Sequence, residues 1–207
     1  LIAGESDHLL GDFMVTEGLV DPDKYKALNE HYYRQYQKGQ LDIDEYLSFA
    51  LGPMAGMTPE TLSALQDKFL KRHVEPILLD AAFDLLQAHR VKGDTLIIIT
   101  ATNTLVTQPI ANRLGVEHLI GCEAELEDGR YTGKPEGVPS YGEGKVQRIK
   151  AWCAEHQTSF EGAVFYSDSH NDLPLLREVA QAIAVDPDDL LRVEAQKCGW
   201  EIISLRP

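Results

Sequence analysis

Positive charge is scarce in this chain: 19 Lys and Arg stand against 33 Asp and Glu among 207 residues, a formal net charge of −14. Nucleic acids and anionic membrane surfaces bind basic footprints, so neither is expected as a partner. Cysteine is sparse too. Cys122, Cys153 and Cys198 are far apart and form no CxxC pair or Cys/His cluster. That pattern argues against a zinc site and a disulfide framework, and for a reducing, intracellular compartment. No apolar run approaches the length of about 18 residues that a membrane span needs. Leu1-Ile2-Ala3-Gly4-Glu5-Ser6-Asp7 lack the basic and apolar regions of a signal peptide. Because no methionine opens the chain, a start inside a longer or processed product is expected, with a cytoplasmic location.

What is present is ordinary for a folded protein. Apolar residues make up 43% and charged residues 25%, over a length that suits one domain with a modest insertion. Residues 5 to 75 read as helices almost throughout. Asp21-Pro22 is a capped start with proline at the first helical position, opening the aromatic stretch Tyr25 to Tyr36 that Gly39 ends. Asp42 to Leu51 forms a second segment, and Thr58-Pro59-Glu60 begins a third with Leu62, Leu65, Phe69 and Leu70 at helical spacing.

After Pro76 the pattern changes. Leu78 to His89 reads as an amphipathic helix, and Thr95-Leu96-Ile97-Ile98-Ile99-Thr100 as a strand buried on both faces. A helix over about 103–114 follows, then strands over 118–133 with a hairpin turn at Glu127-Asp128-Gly129-Arg130. Gly144 to His156 and Leu173 to Val179 read as helices, and Ala163 to Ser167 and Ala182 to Val185 as strands. A helix over Pro187–Lys197 and a strand over Trp200–Ser204 complete the chain. This alternation predicts an α/β fold, a doubly wound and mostly parallel Rossmann-like sheet with an inserted helical block and a small β-hairpin.

In open parallel sheets, ligands gather beyond the carboxyl ends of the strands, which selects two segments here. At Thr100-Ala101-Thr102-Asn103 a hydroxyl and backbone N–H groups at a helix start can seat an anion, or Thr102 or Asn103 can simply cap the helix. In Ser167-Asp168-Ser169-His170-Asn171-Asp172, two carboxylates four residues apart can converge on a hard cation such as Mg2+, or Asn171 or Asp172 can cap the next helix. Lys145 follows Gly144, but a P-loop fails, with Pro139 and Val146 where glycine and Ser/Thr belong. An isolated lysine at a helix start is usually solvated.

The order of these features carries more than any one of them. A buried strand ending in Thr100, Lys145 some 45 residues on, and a strand followed by Asp168 and Asp172 resembles the haloacid dehalogenase superfamily. Ser167 to Leu176 looks like the last motif of its phosphoserine-phosphatase-like branch. Leu1 to Asp7 looks like the sequence just after that family's first motif, Asp-x-Asp-x-Thr, and residues 8–75 resemble the helical cap inserted there. The resemblance implies a core of residues 1–7 and 76–207 and a cap of residues 8–75.

It further implies a phosphomonoester hydrolase that uses Mg2+ and an aspartyl-phosphate intermediate on a small phosphorylated metabolite. Thr100 would donate to a phosphoryl oxygen, with Ala101 and Thr102 near the same group, and Lys145 would neutralise developing charge. Asp168 and Asp172 would serve the metal, and Asn171 would lie near the phosphate. The nucleophilic aspartate and the general acid/base aspartate of the first motif would lie upstream of Leu1, on a strand central to the sheet. The chain as given is therefore expected to be inactive and to form no unbroken sheet. Glu5 falls where phosphoserine phosphatases place a glutamate against the substrate amine. The arginine that binds the substrate carboxylate falls near Ala50, so a histidinol-phosphate-like ester stands beside a phosphoserine-like one. A phosphotransferase on the same scaffold and a binding module without turnover are the alternatives.

Overall fold

The computed structural model describes residues 1–4 and 6–207. The chain divides into two compact units, Leu1–Pro139 and Ser140–Pro207.

The first unit opens with helices α1 (Ser6–Thr16), α2 (Pro22–Gln37), α3 (Ile43–Leu51) and α4 (Pro59–Phe69). Their starts follow the capping residues. Asp21 accepts from the Lys24 N–H at 3.0 Å ahead of Pro22, Asp42 accepts from Asp44 and Glu45 at 3.1 Å, and Thr58 accepts from Thr61 at 3.3 Å. Short irregular turns lead to α5 (Asp80–Lys92), which stops at Gly93 in the left-handed conformation. This helix starts two residues later than its periodicity predicts. Leu78 and Leu79 are held extended against the N-terminal segment, by an isolated bridge from Ile2 to Leu78 and by the Leu79 N–H on the Leu1 carbonyl. Both ends of the helical segment therefore return to one place.

Strand β1 (Ile97–Asn103) runs parallel to β2 (His118–Glu127), which turns back into the antiparallel β3 (Arg130–Glu136); α6 (Thr104–Leu114) makes the crossover. The second unit carries α7 (Glu143–Glu155), β4 (Val164–Ser167), α8 (Leu173–Leu176), β5 (Gln181–Val185), α9 (Asp189–Cys198) and β6 (Glu201–Ile203). Its three strands are parallel in the order β4-β5-β6. The predicted mixed α/β architecture with parallel strands is present, and among the described residues the sheets are two three-stranded ones rather than one.

Two expectations are corrected. The composition of β1 predicts burial on both faces and that of β4 a short buried strand, yet both are half-buried over most of their length, because each ends its sheet. Of the two strands flanked on both sides, β5 is buried over most of its length and β2 over Ile120 to Cys122. The helix expected over Leu173–Val179 is one turn, preceded by a short 3-10 turn over His170–Asp172.

One core joins the helical segment to the first sheet. Phe13, Leu47, Leu51, Met54, Leu62, Phe69 and Val74 cluster with Val106, Ile110, Leu114 and Cys122. A polar device reinforces it. Pro109 lies inside α6 and has no N–H to give the Leu105 carbonyl one turn back. The Gln66 side-chain amide, from α4, donates to that carbonyl instead. In β3, Gly133 has φ +81°, and an added Cβ there would lie 3.0 Å from the Ala55 Cβ. The hairpin therefore lies close against the turn after α3.

Gln66→Ala should cost about 1–3 kcal/mol, the penalty for a buried carbonyl left unsatisfied. The cost should shrink in a Pro109→Ala background, where α6 regains its own N–H. A double-mutant cycle by urea denaturation checks the coupling.

Candidate active site

The residues singled out from the sequence fall into one cluster in each unit. In the second unit, Lys145 stands in the first turn of α7, 5% exposed, and its ammonium meets Asp172 Oδ1 at 2.5 Å. Of the two readings of this lysine, the solvated one does not hold. The other Asp172 oxygen, Oδ2, accepts from the Ser167 hydroxyl at 2.7 Å. Ser167 is itself buried and takes the Ser169 N–H at 3.1 Å, which folds the loop after β4 into a tight turn. Taking both charges out of water is tolerable because they meet in good geometry and a hydroxyl satisfies the spare oxygen. Neither Asn171 nor Asp172 supplies a helix cap here. Ser169 does so, accepting from the Asn171 N–H at 3.3 Å.

Asp168 directly follows β4. Its carboxyl reaches the surface, yet surrounding chain strips it of water and Asp172 adds like charge. Both effects hold its pKa above the usual carboxylate range, desolvation being the larger. A carboxylate in this state is poised to accept a cation. Among the described residues no group of three or more His, Cys, Asp or Glu could hold a metal alone. Mg2+, however, is commonly held by one or two carboxylates, with waters and substrate phosphate completing its octahedron. The oxygen donors of Asp168 and Asp172 fit that pattern.

Asn171 receives the Tyr141 hydroxyl on Oδ1 at 2.9 Å, and its amide reaches Ser169 Oγ at 3.2 Å. Tyr141 has its pKa raised by burial and by the charge of Asp172. The loop is anchored from behind by Asp188, which accepts from the His170 backbone and approaches its ring Nδ1, both at 2.8 Å. Burial alone would raise the Asp188 pKa, but the N–H groups of Leu191 and His170 and the His170 ring hold it below normal. Its own N–H donates to the Asp168 carbonyl at 2.9 Å.

In the first unit, Thr100, Ala101 and Thr102 lie where the pairing of β1 with β2 is interrupted, between Ile99 and Asn103. Thr100 Oγ1 accepts the Thr102 N–H at 3.1 Å and keeps its own hydrogen to donate. The Ala101 carbonyl takes the Cys122 thiol at 3.1 Å. Of the two capping readings, Asn103 is the residue that caps α6, accepting from the Val106 N–H at 3.2 Å. Thr102 instead hydrogen-bonds Asp7, for which nothing in the sequence predicts a role. Glu5 lies outside the described residues. Ser167 and Ser169 lie within the motif but nothing in the sequence marks their supporting roles, and Asp188, distant in the chain, carries no signal at all.

Asp7 stands in the first turn of α1. Loss of water raises its pKa to about 6 despite hydrogen bonds from Thr102 and Tyr46. Its charge also helps to raise the Tyr25 hydroxyl, behind burial, which acts first.

A family model for haloacid dehalogenase-like hydrolases matches residues 1–177. A histidinol-phosphatase of Neisseria meningitidis serogroup C is 39% identical over 210 residues, covering 100% of this chain and 95% of that protein. A phosphoserine phosphatase of Mycobacterium tuberculosis is 33% identical over 157 residues, and the match spans about half of its length, 51%. Among solved structures, a Bordetella pertussis Tohama I protein of unknown function superposes with a TM-score of 0.93 at 38% identity, covering 100% of this chain and 94% of that one. A substrate-bound phosphoserine phosphatase superposes at 0.68 with 14% identity, covering 100% and 88%, a likeness of fold.

Two outcomes follow from the charges. Lys145→Met should destabilise the fold by about 3–5 kcal/mol, because Asp172 stays buried without its cation; a further Asp172→Asn change should recover part of that loss in denaturant melts. Asp7 has a folded pKa above its unfolded one, so its contribution is intact below about pH 4 and is lost as pH rises through about 6. Asp7→Asn should therefore gain stability relative to the parent over that window, by up to about 3 kcal/mol, which paired unfolding curves at pH 4 and pH 7.5 measure.

Proposed function

The chain belongs to the haloacid dehalogenase-like hydrolase family, and we propose that it is a Mg2+-dependent phosphomonoester hydrolase acting on a small phosphorylated metabolite. The observation that carries this reading is Lys145, a lysine buried against Asp172 while Asp168 beside it keeps a pKa raised by lost water and by the charge of Asp172. An ion pair of that kind costs more to bury than a solvated lysine, and phosphoryl transfer gives it a use.

In this reading Asp168 is the direct metal ligand. Asp172, with both oxygens engaged by Lys145 and Ser167, positions the lysine and contributes lone pairs that remain. Bound Mg2+ would supply positive charge to the phosphoryl oxygens. Lys145 offsets the negative charge that spreads over the transferring group, and Thr100 donates its hydroxyl to one oxygen. Ala101 and Thr102 shape the chain around that oxygen, and Asn171, oriented by Tyr141 and Ser169, borders the phosphate. Residues 8–75 act as the cap over a core of residues 1–7 and 76–207; the meeting of residues 1–3 with 77–79 supports an insertion at that point. The nucleophilic aspartate and its general acid/base partner belong, on this reading, to the family's first motif, which residues 1–7 would follow.

The substrate reading favours an amine-bearing ester such as histidinol phosphate over phosphoserine. The Neisseria relative named for that activity aligns over the whole chain. Ala50, where a carboxylate-binding arginine would fall, is 4% exposed and lies in a helix, and Arg34 is exposed on α2. Glu5 keeps in this proposal the amine-binding role that the resemblance implies for its position. The compartment that suits three cysteines without a disulfide is the cytoplasm, and among the described residues no helix is long and apolar enough to cross a membrane.

Protein extended to include the residues before Leu1 should release phosphate from histidinol phosphate faster than from phosphoserine, and only with Mg2+. Asp168→Ala should lower that release by on the order of 10²-fold or more, the scale seen when a group that stabilises developing charge is removed. Undiminished release by this variant would remove Asp168 from the site.

A further inference from the structure

Asp7 is a buried carboxylate of the first unit that the proposed chemistry leaves unused, and its surroundings are unusual. It stands in the first turn of α1, and the hydroxyls of Thr102, at the end of β1, and Tyr46, on α3, hydrogen-bond its carboxylate. Its Oδ1 atom is buried and has no hydrogen-bond partner among the described residues. Neither donor is charged. A carboxylate withdrawn from water with one oxygen unmatched is a poor structural choice, because a cation or further donors are needed to offset lost hydration. An asparagine would fill the same space without the charge.

The position of Asp7 says what kind of cation would match it. Thr102 is two residues from Thr100, and its N–H bonds the Thr100 hydroxyl. Two residues of chain span at most about 7 Å. The carboxylate that carries the orphaned oxygen is thus one hydrogen bond beyond Thr102, and the proposed phosphate donor lies within a short reach on the other side. A molecule that bridges them carries a phosphate at one end and a positive group a few bonds away at the other.

We propose that Asp7, held by Thr102 and Tyr46, is a further residue, in addition to the one the resemblance assigns at position 5, that recognises the ammonium or imidazolium group of a small cationic phosphomonoester. The inference rests on the phosphatase reading above and deepens it by naming the specificity residue. Asp7 touches the substrate's positive group and takes no part in bond making at phosphorus. Tyr46 contributes by fixing the carboxylate from α3, which ties recognition of substrate to the helical segment. Because the carboxylate awaits a cation, the empty protein tolerates it at a cost in stability, as functional sites often do.

The test uses a pair of esters that differ in one group, phosphoethanolamine and 2-hydroxyethyl phosphate, with protein that includes the residues before Leu1. The parent should prefer the amine ester, and Asp7→Asn should lower the ratio of the two kcat/KM values by on the order of 10- to 100-fold, the worth of a hydrogen bond to a charged group. Asp7→Glu should restore part of the preference. The Asp7→Asn protein should melt at or above the parent at neutral pH, whereas a structural Asp7 would make it melt lower. An unchanged ratio overturns the inference. Calorimetric titration with histidinol reads the same contact without turnover: the parent should bind and Asp7→Asn should not. If neither these esters nor histidinol phosphate is hydrolysed, the phosphatase reading fails by itself, and the titration alone then decides Asp7, equal binding by both proteins overturning it.

Discussion

A carboxylate taken out of water must meet a cation or enough hydrogen-bond donors, and the polar architecture of this protein is arranged around that constraint. Acidic residues are abundant and basic ones scarce, so each buried carboxylate is a problem with few available solutions. Asp172 uses the strongest one, a lysine at 2.5 Å on one oxygen and a serine hydroxyl on the other. Asp188 uses N–H donors and a histidine ring, and its pKa falls. Asp168 and Asp7 receive neither in sufficient measure, and both titrate upward. The carboxylates that are satisfied internally shape the loop, while those left short are the ones placed to receive something from outside.

The first unit is organised around a second constraint, the demand of backbone polar groups for partners. Proline at 109 breaks the hydrogen-bond ladder of α6, and Gln66 repairs it from another helix. A defect in one element thereby becomes a tie to the next. The interrupted pairing of β1 with β2 serves in a similar way. It takes Thr100 to Thr102 out of the ladder and gives their groups other partners: the Thr102 N–H turns to Thr100, the Thr102 side chain to Asp7, and the Ala101 carbonyl to Cys122. Gly121 opposite permits the close approach, since a Cβ there would lie 3.0 Å from the Thr102 carbonyl.

Much of this was legible in the residues, for local reasons. Asp21-Pro22, Asp42 and Thr58 mark helix starts because a side-chain oxygen beside unpaired N–H groups acts within one turn of chain. The hairpin at Glu127–Arg130 and the order of helices and strands followed from the same short-range signals. The segment after β4 was recognisable as a place of chemistry. What stayed hidden was which side chain does what within it. Lys145 reads as an ordinary solvated lysine until Asp172 is brought to it from 27 residues away, and nothing near position 7 announces that Tyr46 and Thr102 will surround it. Strands β1 and β4 have the composition of buried central strands, but composition cannot say what lies on either side of a strand.

Sequence alone therefore determined the alternation of helix and strand, the residue types available for phosphoryl chemistry and their order, because these depend on contacts within a few residues or on a motif's spacing. Tertiary structure alone decided the charge state each carboxylate prefers. Protonation depends on the water removed and the charges brought near, and both are set by segments distant in the chain. Asp7, Asp168 and Asp172 are the same residue in the sequence; packing makes one an unmatched anion inside a helical unit, one a carboxylate poised for a cation, and one half of a buried ion pair.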